Sequence, residues 1–343
     1  MAQSAGGGLA MIDLNDRALL ITGGTGSFGR EFVRRAIARA KPRRLIVFSR
    51  DELKQSEMQA DFPVERYPFM RYFIGDVRDS ARLETAMRGV DYVVHAAAMK
   101  QVPTAEYNPF ECVRTNIHGA ENVVNASIRS GVKRVIALST DKAANPVNLY
   151  GATKLASDKI FIAANNMSGI GGPTFSVVRY GNVLGSRGSV VPLFQRLIRE
   201  GRNRLPVTDE RMTRFWITIG QGVDFVLDGL ERMSGGEIFV PKLPSMKIVD
   251  LARAMLPSCE IEIVGVRPGE KLHEIMIPRD DARVTLEYED HFVIEPAFHD
   301  WSRTDYMKVN GGKPVAEEFE YSSHANDRWL APSELRRHIG LDG

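Results

Sequence analysis

Short apolar runs rich in β-branched residues alternate with longer stretches of helical period along the first half of the chain. The runs are Ala18–Thr22 (ALLIT), Arg44–Phe48 (RLIVF), Arg71–Gly75 (RYFIG), Tyr92–Ala96 (YVVHA), Arg134–Leu138 (RVIAL) and Phe175–Tyr180 (FSVVRY). They are too continuously apolar for a one-sided sheet, which predicts strands buried on both faces. Between the first two, Phe28, Phe32, Val33, Ala36, Ile37 and Ala40 fall on one helical face. Strands separated by such helices predict an α/β fold, a doubly wound Rossmann-type parallel sheet. After Gly181 the pattern loosens. Gly and Pro become frequent and the helical runs shorten to Val190–Glu200, Gly220–Met233 and Ile248–Leu256. Three parts are expected: a flexible tail over 1–11, a dinucleotide-binding domain over 12–181, open to completion by elements around 215–242, and a smaller mixed α/β substrate domain over 182–343. Ligands of such sheets sit beyond the carboxyl ends of the strands, where a second domain would close over them.

Composition narrows the class of protein. With 343 residues, 43% of them hydrophobic and 26% charged, the chain has the make-up of a soluble globular protein. A net charge of +2 gives no field for a general nucleic-acid binder. Two cysteines, Cys112 and Cys259, rule out a disulfide scaffold and fit a reducing compartment. No Cys/His cluster has metal-ligand spacing, so no metal is expected. The opening MAQSAGGGLAM lacks the basic and apolar regions of a secretory signal. No apolar run approaches the roughly 20 residues that span a bilayer. The expectation is a cytoplasmic protein without a membrane partner.

The first strand runs straight into GGTGSFG, with Gly23, Gly26 and Gly29 spaced G-x-x-G-x-x-G around Ser27 and Phe28, and a helix follows. Small residues let a backbone approach a pyrophosphate, and the helix start supplies N–H groups and positive dipole. Tight turns use Gly as well, but a dinucleotide fold needs this loop at its first strand–helix junction. The second strand ends in Ser49 and Arg50, with Lys54 one turn on. A reader of the ribose 2′-hydroxyl places Asp or Glu directly at that strand end. Arg suits a 2′-phosphate, so the charges favour NADP over NAD. Asp51 or Glu52 stays open as a ribose ligand, with Arg50 then a solvated neighbour of Asp51. Asp76 and Val77 follow the third strand, where Asp76 could accept from the adenine amino group. Ala96 and Ala97 end the fourth, small residues where a backbone must pass the cofactor.

The fifth strand ends in Ser139-Thr140-Asp141-Lys142, and Tyr150-Gly-Ala-Thr-Lys154 follows a short loop. Tyr150 and Lys154 are four apart and share one helical face. Lys154 is expected to hold the nicotinamide ribose and to lower the Tyr150 pKa by its charge. The phenolate would then take the proton of a sugar hydroxyl as hydride leaves. A lone YxxxK pair is usually a surface pair; a strand-end hydroxyl and a glycine loop in the same chain change that. Simple dehydrogenases and epimerases need only the hydroxyl, Tyr and Lys. Asp141-Lys142 adds a second proton-transfer pair of the kind dehydration requires, unless it is a salt-bridged loop.

The segments TGGTGSFG, SRDELKQSEM, AAAMKQVP, STDKAANPVNLYGATKLASDK, VVRYGNVLGSRGSVVP, MTRFWIT, GGEIFVPKLPSMK, RPGEKLHE and EFEYSSH cover nearly the whole chain from Ile12. Together they resemble the inverting UDP-N-acetylglucosamine 4,6-dehydratases of the extended short-chain dehydrogenase family, which begin pseudaminic acid synthesis for flagellin glycosylation. The resemblance implies a tightly bound, recycled NADP, UDP-GlcNAc as substrate, and a homo-oligomer, hexamer or dimer. It implies Lys142 as the base at C5, Asp141 as the acid at C6, Tyr150 assisting hydride transfer from C4, Thr140 near the C4 hydroxyl and Lys154 on the cofactor. Lys142 must be partly neutral to act as a base, which burial beside the nicotinamide would favour. Asn182, Arg214, Arg267 and Glu270 would hold UDP, since guanidinium groups suit a diphosphate and a carboxylate suits ribose hydroxyls. Alternatively, Arg267-Pro-Gly-Glu270 is simply a turn and Asn182 caps a loop. Lys100 would reach substrate or cofactor, or neutralise Glu106. The implied product is UDP-2-acetamido-2,6-dideoxy-β-L-arabino-hex-4-ulose.

Three other readings stay in view. A UDP-sugar 4-epimerase shares the glycines and the YxxxK pair but has no use for Asp141-Lys142. A retaining dehydratase would give the D-configured keto sugar. An NADP-sensing binding protein would have no need of Thr140, Tyr150 and Lys154 as a set.

Overall fold

All six apolar runs form strands: β1 (Ala18–Thr22), β2 (Arg44–Ser49), β3 (Met70–Ile74), β4 (Tyr92–His95), β5 (Arg134–Thr140) and β6 (Thr174–Tyr180). The structure, a computed structural model, describes residues 13–186, 188–297, 306–307 and 310–341. The tail expected over 1–11 lies outside the described residues. The six strands pair in parallel in the order β6-β5-β4-β1-β2-β3, so the strand order reverses beside β1, as in a doubly wound sheet. The sheet does not stop there. Strand Ile238–Pro241 adds in parallel beside β6, and His291–Ile294, Thr285–Glu287 and Lys313–Pro314 extend it antiparallel to ten strands. Residues after Gly181 thus build part of the main sheet, and helix Ile219–Arg232 packs on it with helix Ser27–Arg39.

The main core follows the apolar pattern, with Leu19, Leu20, Ile21, Ile46, Val47, Val93 and Ile136 fully or almost fully buried. A second apolar cluster lies beside it, built from Val191, Phe194, Leu205, Trp216, Ile248 and Leu251. It joins helices Val190–Arg199 and Ile248–Met255 to the parallel pair Arg204–Val207 and Glu260–Ile263. Two cores let this part form the far wall of a cleft without sharing side chains with the sheet. Among the described residues no helix is long and apolar enough to cross a membrane.

Candidate active site

One cleft of about 1270 Å³ opens at the carboxyl ends of the strands. Gly23, Gly26, Ser27 and Phe28 line it, and helix Ser27–Arg39 starts at Gly26 with no side-chain cap. Its first N–H groups are therefore unclaimed by a capping side chain and suit a pyrophosphate. Gly29 is not among the lining residues. A methyl group on it would collide with the Gly24 carbonyl, so its role is to let the helix lie close on the turn. The lining and the uncapped helix fit a dinucleotide.

Ser49, expected at the cofactor, is buried and held in place. The Gln55 amide donates to its carbonyl at 3.0 Å, and Thr25 Oγ1 donates to its hydroxyl at 3.1 Å. Asp51 caps helix Glu52–Asp61 by accepting from Lys54 N at 3.0 Å and also takes Lys54 Nζ at 2.6 Å. Asp51 is thus occupied within its own helix turn, and it partly neutralises Lys54. Arg50 is exposed, with Asp76 at 3.6 Å as its ion-pair partner. Burial works to raise the Asp76 carboxyl's pKa, but hydrogen bonds from Arg78 outweigh it and hold the group below its ordinary value. Arg50, Lys54, Asp76 and Val77 all line the cleft.

The passage at Ala96-Ala97 is fixed by two residues that the sequence reading missed. Thr22 Oγ1 accepts from Ala96 N and Ala97 N, each at 3.2 Å, and lies 2.9 Å from His95 Nδ1. Burial drives the His95 pKa down to about 3, with Lys154 adding to the effect, so the ring is neutral and serves as a hydrogen-bonding strut. Lys100 lines the cleft without an ion pair among the described residues. Glu106 does not meet it; that carboxylate accepts from Leu149 N at 2.7 Å.

Thr140, Lys142, Tyr150 and Lys154 line the middle of this set. Asn148 caps helix Leu149–Met167 by accepting from Gly151 N at 2.8 Å, which sets the Tyr150 and Lys154 face toward the cleft. Lys154 is buried with no ion pair or side-chain hydrogen bond among the described residues, a free donor for a ligand. Burial pushes the Tyr150 pKa up to about 12, against the pull of the Lys142 charge. The expected lowering by Lys154 is therefore not what this site does on its own, because desolvation of the phenolate wins.

Asp141 departs further from expectation. It is fully buried, does not line the cleft, and sits beneath Lys142. Its Oδ1 accepts from Thr140 Oγ1 and from Lys142 Nζ, both at 2.9 Å, while Oδ2 has no partner among the described residues. Burial raises the Asp141 carboxyl above its usual range against the pull of Lys142. A second carboxylate, Glu274, stands 3.3 Å from Lys142 Nζ. Burial alone would push the ammonium's pKa down, but Asp141 and then Glu274 outweigh it and hold it above its ordinary value. The two carboxylates thus favour the charged ammonium, where a partly neutral amine beside the nicotinamide was expected.

On the far wall Arg214 is almost fully occupied. It donates to the carbonyls of Thr213, Leu272 and Lys271 at 2.7, 3.1 and 3.0 Å, and its Nε lies 3.5 Å from Glu274. It binds the 271–274 segment more than it offers itself to a ligand. Arg267 pairs with Glu270 at 2.8 Å within a turn closed by Glu270 N donating to Arg267 O. Both line the cleft, and Asn148 Nδ2 ties the turn to the start of helix Leu149–Met167 through Gly269 O at 2.8 Å. Asn182 Nδ2 is buried at the cleft and unpartnered among the described residues, so that amide nitrogen caps none of the loops they form. Arg196 and Arg199, one turn apart on helix Val190–Arg199, also line it and were not singled out in the sequence.

A model of the polysaccharide biosynthesis protein family matches residues 19–296. The chain belongs to this family. The chain is 57% identical over 325 residues to the UDP-N-acetylglucosamine 4,6-dehydratase (inverting) of Campylobacter jejuni subsp. jejuni, covering 94% of this chain and 96% of that one. It is 41% identical over 320 residues to the UDP-glucose 4-epimerase of Rickettsia massiliae, covering 91% and 92%. Among solved structures, Pen from Bacillus thuringiensis superposes with a TM-score of 0.86 at 36% identity, covering 96% of this chain and 99% of that one.

Proposed function

We propose that the chain is an inverting UDP-N-acetylglucosamine 4,6-dehydratase with a bound nicotinamide dinucleotide, NADP. The observation that carries this reading is the placement of Lys142, with Asp141 beneath it, in the same cleft as Thr140, Tyr150, Lys154 and the glycine loop. An epimerase needs no such second acid–base pair. The dinucleotide supplies a hydride acceptor for C4 and the hydride later returned to C6.

The residues of the chain divide the remaining work. Tyr150, with Thr140 beside it, moves the C4 hydroxyl proton. Lys154 would donate to the nicotinamide ribose and bring positive charge toward Tyr150. Lys142, the member of the pair that reaches the cleft, removes the C5 proton acidified by the C4 ketone. Lys142 and Asp141 share one proton: while it rests on Asp141 the neutral Lys142 takes the C5 proton, the ammonium so formed gives it to the C6 oxygen that leaves as water, and a solvent proton adds to C5 from the opposite face as hydride returns to C6. Arg267, Arg196 and Arg199 face the diphosphate, and Asn182 and Glu270 hold the nucleoside. The product is UDP-2-acetamido-2,6-dideoxy-β-L-arabino-hex-4-ulose, the entry to pseudaminic acid. Family likeness also supports a homo-oligomer, hexamer or dimer, acting in the cytoplasm. Mass spectrometry of UDP-GlcNAc incubated with the protein tests the reading: loss of one water is expected. A product of unchanged mass would favour the second reading, a 4-epimerase, which the Rickettsia relative suggests.

The choice of NADP rests on Arg50, exposed at the end of β2 while Asp51 is tied to Lys54. Arg50→Ala is expected to weaken NADP binding roughly tenfold to a hundredfold, the loss of one charge-assisted hydrogen bond of about 1.5–3 kcal/mol, and to leave NAD binding unchanged. Fluorescence titration with both cofactors checks this; equal losses for the two would remove Arg50 from the 2′-phosphate.

A further inference from the structure

We propose that Glu274 is a positioning residue for this reaction, holding the Lys142 ammonium from the 271–274 segment while Asp141 holds it from its own turn, and linking it to Arg214. The inference rests on the reading that Lys142 is the base. Glu274 lies 132 residues beyond Lys142, at the end of the segment whose Arg267 and Glu270 drew attention in the sequence. It is buried yet lines the cleft, whereas Asp141 does not. Its Oε1 stands 3.3 Å from Lys142 Nζ and 3.5 Å from Arg214 Nε, and its Oε2 is buried without a partner among the described residues.

The groups around Lys142 define what Glu274 does. Asp141 lies beneath it; Tyr150 faces it from helix Leu149–Met167, Arg214 from strand Thr213–Ile217, and Lys271 with Glu274 from the loop before Ile275–Ile277. Lys271 Nζ is itself anchored on Ala144 O at 2.5 Å. Two carboxylates thus stand against one lysine, with two further cations behind them. A single carboxylate would form an ordinary ion pair. The second draws Lys142 toward the cleft side, where a sugar C5 can be reached, and keeps it charged until substrate enters. The arginine that Glu274 also binds anchors the 271–274 segment, so the lysine's position is tied to the far wall of the cleft.

The test is the pH profile of kcat/KM for UDP-GlcNAc, measured with NADP-loaded protein. The wild-type rate rises with pH as Lys142 loses its proton. Glu274→Gln removes one of two negative charges from Lys142, so the rising limb is expected to move to lower pH by about one unit. Glu274→Asp keeps the charge but withdraws it by one methylene, so its limb moves the same way by less. The aspartate variant carries the test if the glutamine variant does not fold. A rising limb at the wild-type pH in the folded variants, with activity lowered equally at all pH values, would make Glu274 merely structural and overturn the proposal. So would a complete loss of turnover in both, because Asp141, Lys142 and Tyr150 remain in place. Lys142→Ala separates the two levels. If that variant keeps full turnover, the reading of Lys142 as base fails; if it is inactive while the Glu274 limbs do not move, only the present proposal fails.

Discussion

Lys142→Ala is expected to lower kcat for loss of water from UDP-GlcNAc by roughly 10²- to 10⁴-fold, the range for a positioned proton-transfer group. The reason lies in the arrangement of charges. Lys142 is the only member of the Asp141–Lys142 pair that lines the cleft; Asp141 does not line it and hydrogen-bonds both Lys142 and the Thr140 hydroxyl. Removing the lysine also leaves Asp141 and Glu274 as two buried carboxylates without their shared cation. Such a loss is costly, and thermal melting is expected to show it. Hydride transfer from C4 depends on Tyr150 and Lys154 instead, so a transient reduction of bound cofactor should survive in this variant. Absorbance of the reduced nicotinamide after mixing with substrate reads that step separately from turnover.

Gly151→Ala is expected to cut kcat by roughly 10²-fold while cofactor affinity stays near the wild-type value. Gly151 stands in the first turn of the helix that carries Tyr150 and Lys154, and a methyl group there would collide with the Lys142 carbonyl oxygen. The next contact, Pro146 Cβ at 3.1 Å, leaves little room to yield. The helix and the Asp141–Lys142 turn must therefore part, by overpacking that costs about 1–3 kcal/mol. The glycine loop lies on a different strand–helix junction and is untouched. Steady-state kinetics together with NADP titration measures both effects; a variant with wild-type kcat would show that the close approach of helix and turn does not set the geometry of the reaction.

What the sequence disclosed and what it withheld divide along a physical line. The six strands were legible because each is a continuous apolar run buried on both faces, and the glycine loop because its chemistry is local in sequence. Tyr150 and Lys154 were legible for the same reason, since a spacing of four on a helix fixes their common face. The later strands were not, because Thr285–Glu287 and Lys313–Pro314 have three and two residues, too few to carry a period. Glu274 was hidden by its separation from Lys142, and Asp141 by depth: adjacency to Lys142 said nothing of which side chain would reach the cleft. The same holds for charge. The sequence suggested a lowered Tyr150 and, beside the nicotinamide, a partly neutral Lys142. Burial raises the first, and a carboxylate brought in from elsewhere in the chain helps to keep the second protonated. Arg214 was legible as a cation but not as one already held by three carbonyls.

The most direct test of the central claim is proton NMR of the product formed from UDP-GlcNAc in D2O. Inverting dehydration predicts a new C6 methyl signal, deuterium at C5 and ring couplings of the L-arabino configuration. A retained C6 hydroxymethyl with protium at C5 and altered configuration at C4 would contradict it and make the chain an epimerase. A C6 methyl with D-configured couplings would contradict the inversion alone.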